Sequence, residues 1–152
     1  MSDMNLELIG DDELLAALRE MDYKTQHKFL KRTLNKSADI YKNAVKRAIP
    51  KRTTKLQPSG VKWHPPGAGI KSVGKKMGKS KRVATVFVGP RTRTGDYATD
   101  GWYLKFWEYG TKYRPPEMKI TAAYASRQQE VENSMMSSLR TIISRAWNKT
   151  KK

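Results

Sequence analysis

The chain has 152 residues, enough for one domain with a modest core and too few for two full ones. Lys and Arg number 31 against 14 Asp and Glu, a formal net charge of +17, and 38% of residues are hydrophobic. No apolar run approaches the ~20 residues of a membrane-spanning helix, and the acidic start MSDMNLELIGDDELL lacks a secretory signal pattern. With no Cys, disulfides, thiolate metal sites and cysteine nucleophiles are excluded together. His27 and His64 stand far apart, outside any ligand-spaced cluster. The expectation is a soluble, cytoplasm-made basic protein without metal or cofactor.

The charge is unevenly placed. Residues 1–23 carry a net −6, residues 24–93 a net +19 with Asp39 as their single acid, and residues 94–152 a net +4. An acidic head beside a basic middle allows head-to-middle pairing within one chain or between copies. Residues 1–23 read as an acidic arm with a short helix: Asp11, Asp12 and Glu13 precede Leu14, Leu15 and Leu18, acids where the helix dipole favours them. Residues 24–150 read as one α+β domain.

That domain opens with a helix from about Lys24 to Ile49. Leu30, Leu34, Ala38, Tyr41, Val45 and Ala48 form one stripe, Lys28, Lys31, Lys42 and Lys46 lie opposite, and Pro50 ends it. Residues 50–82 mix four prolines and five glycines with many cations, and read as an extended basic loop. Val83 to Val88 is β-branched and closed by Gly89-Pro90, so it reads as a strand. Trp102 to Tyr109 (WYLKFWEY) reads as its antiparallel partner across the polar loop 91–101, with a third strand available from residues 51–73. Pro115-Pro116 opens a last helix, roughly 117–148, with Tyr124, Val131, Met135, Leu139, Ile142 and Ala146 on one face and Gln128 interrupting. The expected fold is a small antiparallel sheet with long helices packed on one face, plus the long basic loop.

Chemistry has few footholds. There is no phosphate-binding glycine loop, HExxH or GxSxG, and Gly67-Ala68-Gly69 does not follow a strand. No acid–base pair is evident, so no catalytic residue is assigned. Lys71, Lys75, Lys76, Lys79, Lys81 and Arg82 put six cations into twelve residues. They are candidates for salt-sensitive, sequence-indifferent contact with a phosphate backbone, or for docking on an acidic neighbour. The aromatic run can serve either as stacking platforms for single strands or as core plus subunit interface. As a strand it would place Trp102, Leu104 and Phe106 on one face and Tyr103, Trp107 and Tyr109 on the other. Trp102, Tyr103, Phe106 and Trp107 are the candidate interface residues, because both faces are apolar and a small domain can cover only one.

The stretch VFVGPRTRTGDYATDGWYLKFWEYGTKYRPPEMKITAAY resembles the tail-completion (minor tail, head-tail joining) family of Hong Kong 97-type and lambda-like long-tailed bacteriophages. Its landmarks are a basic helix ending Ala48-Ile49-Pro50, then Val88-Gly89-Pro90, Glu108-Tyr109-Gly110-Thr111, Pro115-Pro116 and a long final helix. The resemblance runs in order through most of residues 24–148, leaves the acidic head outside, and departs from the family pattern at Arg114–Lys119 and at Thr53–Leu56. It implies a structural virion protein without catalysis. Such a subunit forms a ring, a hexamer favoured over a dodecamer, that joins the head connector or stopper to the tail tube or tail terminator. It is made in the host cytoplasm, ends in the neck or tail of the virion, touches packaged DNA nonspecifically at most, and involves no membrane. A sequence-nonspecific nucleic-acid-binding module is the alternative. Independently of the resemblance, Gly110 suits a positive φ and Thr111 a local backbone bond. Glu108 suits either an ion pair or the capping of backbone donors.

Overall fold

The computed structural model describes residues 19, 21–51, 65–80, 82–96 and 98–150, with backbone alone for 146–150. The expected arm helix before Asp22, the Thr53–Leu56 element and Lys81 lie outside the described residues. Six elements follow in chain order: α1 Tyr23–Ala48, α2 Ala68–Ser72, β1 Val73–Met77, β2 Val86–Pro90, α3 Leu104–Tyr109 and α4 Lys119–Thr150.

Helix α1 begins where Asp22 accepts a hydrogen bond from the Thr25 N–H at 3.1 Å, a side-chain cap for an otherwise orphaned donor. The Thr25 side chain first, and then its N–H, hold the exposed Asp22 carboxyl below the usual carboxylate range. The helix ends with Lys46 and Arg47 in its last turn and Ile49 extended ahead of Pro50, as the dipole and the proline both require. Helix α4 runs antiparallel to it. Leu139 and Ile143 pack with Met21 and Leu30 at one end. Tyr41 packs with Val131 and Met135 in the middle, and Val45 and Ile49 meet Ile120 at the other. Between the apolar layers the helices approach through small residues, and Ser37 Oγ donates to Ser134 Oγ at 3.2 Å.

Strands β1 and β2 form an antiparallel hairpin with Val73 opposite Pro90 and Met77 opposite Val86. Side chains alternate across a strand, so Val73, Lys75, Val88 and Pro90 share the face turned to α1, while Lys76 and Phe87 share the other. Phe87 is 65% exposed, which marks that second face as open. The architecture is the expected α+β arrangement, a small antiparallel sheet with long helices on one side.

Two expected elements are corrected. WYLKFWEY is not a strand: its residues 104–109 form α3, so the partner of β2 is β1 instead. Residues 50–82 are not one extended loop, because residues 68–77 form α2 and β1. The strand VGKKM escapes a hydropathy reading because its inward residue is a lysine. Lys75 Nζ satisfies itself at 2.7 Å from Asp39 Oδ2 and 2.7 Å from the Asn35 carbonyl of α1.

Candidate functional site

Helix α3 is positioned from both ends. At its start, Gly101 donates its N–H to the Arg91 carbonyl at 2.8 Å. A side chain on Gly101 would collide with Ser72 and Pro90. The Trp102 N–H donates to Asp100 Oδ1 at 3.1 Å. The helical turn then sorts the aromatic run by a period of 3.6 rather than 2. Leu104, Trp107 and Glu108 face inward, where Leu104 and Trp107 join Val45, Ile49, Val73 and Ile120 in the core. Trp102, Phe106 and Tyr109 remain 47%, 42% and 60% exposed. Their spacing puts them on the opposite side. The Trp102 and Phe106 rings meet edge-to-face at 5.8 Å, and Lys105 Nζ lies 4.9 Å from the Phe106 ring centre.

The end of α3 is locked to the start of α4 by one carboxylate. Glu108 is buried, and its two oxygens accept from the Ile120 N–H at 2.9 Å and the Thr121 N–H at 2.7 Å. The side chain thus caps a helix twelve residues further on, where orphaned donors and the positive end of the dipole favour a carboxylate. The backbone repeats the link: Glu117 and Met118 donate their N–H groups to the Trp107 and Glu108 carbonyls.

Between these clamps, Gly110 takes φ 78° and ψ −178°, a region open essentially to glycine alone. Thr111 and Arg114 exchange two backbone hydrogen bonds, and Thr111 Oγ1 accepts from the Tyr113 N–H at 3.2 Å. Glu117 pairs with Lys119 at 3.0 Å and also with Arg114. Lys119 first, then Arg114, holds its carboxyl below the ordinary range. Tyr113 and Met118 are exposed on the outside of this loop.

The sequence-derived candidates therefore separate. Of the four proposed interface residues, Trp102 and Phe106 are on the open face. Tyr103 is half-buried against the core and Trp107 is inside it, so the strand-based sorting of their faces is corrected. Tyr109 completes the exposed stripe, a position legible only from the i, i+4, i+7 spacing of residues 102, 106 and 109. Glu108 caps backbone donors and has no basic partner among the described ion pairs. The five described cations of the basic segment do not form one group either. Lys71 lies in the last turn of α2, Lys75 is spent on Asp39, Lys76 lies on the open sheet face, and Lys79 and Arg82 belong to the hairpin turn. Asp39 was the missed partner. Its being the single acid among residues 24–93 was the available signal. Among the described residues no His, Asp or Glu cluster could hold a metal ion, and no helix is long and apolar enough to cross a membrane.

The sequence matches the family described as "Bacteriophage HK97-gp10, putative tail-component" over residues 12–110. The chain belongs to the HK97-gp10-like family. No curated protein and no solved structure matches it. As a family of phage tail components, it places the chain among structural tail proteins of the virion. The HK97-gp10-like span takes in α1, the hairpin and α3, and closes at Gly110. It also includes residues 12–23, about half of the acidic head that the sequence resemblance had left outside.

Proposed function

We propose that the protein is a ring-forming subunit at the phage neck or tail top, joining the head connector or stopper to the tail tube or tail terminator. The observation that carries this reading is the aromatic face of α3. It is apolar, more than two-fifths exposed at each of its three rings, and held rigid by the Glu108 clasp. Large exposed aromatics on a pre-organised element are what a subunit contact needs, since little conformational freedom is lost on docking. Six copies are favoured over twelve. The role is structural, with no catalytic step. Native mass spectrometry of the purified chain tests it: a closed ring, six-fold for preference, is the expected result. A species that stays monomeric at every concentration, together with normal head-to-tail joining in phage lacking the gene, overturns it.

Nucleic-acid binding is the second reading, carried by Lys76, Lys79 and Arg82, which are exposed around the hairpin and without an ion-pair partner among the described residues. A gel shift on random DNA across a salt series separates the two. Tight binding by a monomer with a steep salt slope favours the module, and weak binding by an assembling protein favours the ring.

A further inference from the structure

Cations flank the aromatic face of α3, Lys105 on the helix and Lys112 in the loop that follows it. Lys105 and Lys112 lie over Phe106 and Tyr113, and neither has a carboxylate partner among the described residues. The chain itself contains a segment of complementary chemistry. Residues 11–18, DDELLAAL, place Asp11, Asp12 and Glu13 directly before Leu14, Leu15 and Leu18. Leucines would cover the rings while the acids meet the lysines.

The leucines of that segment cannot reach the face in their own chain. Met21 packs beside Leu139 and Ile143, whereas α3 is clamped to Ile120 and Thr121 at the other end of α4. At 1.5 Å per residue, those two places on α4 are about 30 Å apart. Leu18, three residues before Met21, reaches at most about 10 Å, and Leu14 at most about 25 Å even fully extended.

We infer that the acidic segment 11–18 of one copy docks on the Trp102–Phe106–Tyr109 face of a neighbouring copy, with Asp11, Asp12 and Glu13 against Lys105 and Lys112. This contact is heterologous: the donor surface and the acceptor surface differ, and each copy has one of each. Repetition therefore generates a closed ring when the rotation between copies permits. The inference rests on the ring reading and specifies which surfaces make the ring.

The absence of native Cys makes the test direct. Chains carrying Leu18→Cys alone and chains carrying Phe106→Cys alone are mixed, oxidised mildly and resolved without reductant, with light scattering on the unoxidised mixture. Both chains keep the native circular dichroism, and Lys105→Cys serves as a second acceptor should Phe106→Cys fold poorly. The expected result is a mixed disulfide dimer as the dominant band. It falls at least tenfold when Asp11, Asp12 and Glu13 are changed to Lys, and returns when Lys105→Glu and Lys112→Glu are added. An oligomer that forms without the mixed disulfide overturns the arm exchange and leaves the ring reading standing. Crosslinking of Leu18→Cys to Ile142→Cys within one chain overturns it in favour of folding back on α1 and α4. A monomer at every concentration overturns the arm exchange, and the ring reading falls with it when phage lacking the gene still join heads to tails.

Discussion

The connection 110–118 and the hairpin turn 78–85 both carry exposed cations and a glycine at the point of reversal, yet they are built differently. The first is gripped by a buried carboxylate, by two backbone bonds to α3 and by a glycine packed against backbone. Among the described residues the second rests on a backbone bond from Gly78 to Thr85 and on Ser80 Oγ, which accepts from the Arg82 and Val83 N–H groups. The first loop therefore aims its aromatics in a fixed direction, as a docking surface must. The second holds its cations near a place without fixing them, which suits a diffuse charge contact.

The sharpest way to break this contrast is a methyl group at each glycine. At Gly110 a Cβ would lie 2.7 Å from the Arg114 carbonyl oxygen and 2.8 Å from the Pro116 nitrogen, on backbone that cannot swing aside. The positive φ adds strain of order 1–3 kcal/mol. Gly110→Ala is expected to cost about 3 kcal/mol or more in urea unfolding. At Gly78 the collision is with the Thr85 hydroxyl, which can rotate, so Gly78→Ala should cost no more than about 1 kcal/mol. Equal midpoint shifts for the two variants would mean the loops are held equally.

Next in size is the carboxylate. Glu108→Ala leaves the Ile120 and Thr121 N–H groups without their acceptor, and a cost of about 2–3 kcal/mol is expected. Glu108→Gln retains one acceptor oxygen and should lose roughly half of that. The same denaturation series reads both, and a Gln variant as damaged as the Ala variant would show that charge, not capping geometry, dominates.

A smaller effect connects the two regions. Tyr124 OH, on α4, donates to the Val88 carbonyl of β2 at 2.6 Å, tying the hairpin to the helix that Glu108 anchors. Tyr124→Phe is expected to cost about 1 kcal/mol. Burial, and then the Glu108 charge, pushes the Tyr124 hydroxyl up to about 12 from a usual 10.0. Below the unfolded value both states keep the proton and stability is unaffected. Between the two values the unfolded chain releases it first, so stability falls as pH rises, by up to about 1.4 kcal/mol per pH unit from this group. Wild type and Tyr124→Phe compared from pH 9 to 12 should differ in slope within that window, and parallel curves would rule the contribution out.

These examples also show where the sequence was readable. The helices expected over 24–49 and 117–148 are observed over 23–48 and 119–150, because a one-sided stripe of many turns has only one periodic explanation. The aromatic run defeated the same reasoning. Six residues hold too few periods, both sides of α3 are apolar, and aromatics favour strands in general. The decisive bond, Glu108 to α4, spans a turn whose path hydropathy does not encode. Strand β1 was hidden because Lys75 looks like surface until Asp39 of α1 is set beside it. Of the candidate site, the family motif was legible; the sorting of Trp107 to the core and of Trp102 and Phe106 to the open side was not.

The smallest expected change in stability comes from the hairpin cations, and it tests whether a loosely held loop still matters. Lys76, Lys79 and Arg82 are exposed, so their combined change to Glu should move stability by only about 0.5 kcal/mol per site or less. Lys75 is excluded from the set because its ammonium bonds Asp39 and the Asn35 carbonyl; Lys75→Met alone should cost about 0.5–1 kcal/mol. If the turn touches phosphate or an acidic neighbour, the triple variant folds normally but gives fewer infectious particles or loses packaged DNA. Raising the salt during assembly of the wild type should mimic it, since a contact made by exposed charges weakens as salt screens them. Normal particle yield and infectivity from a folded triple variant would leave the hairpin cations without a role in assembly.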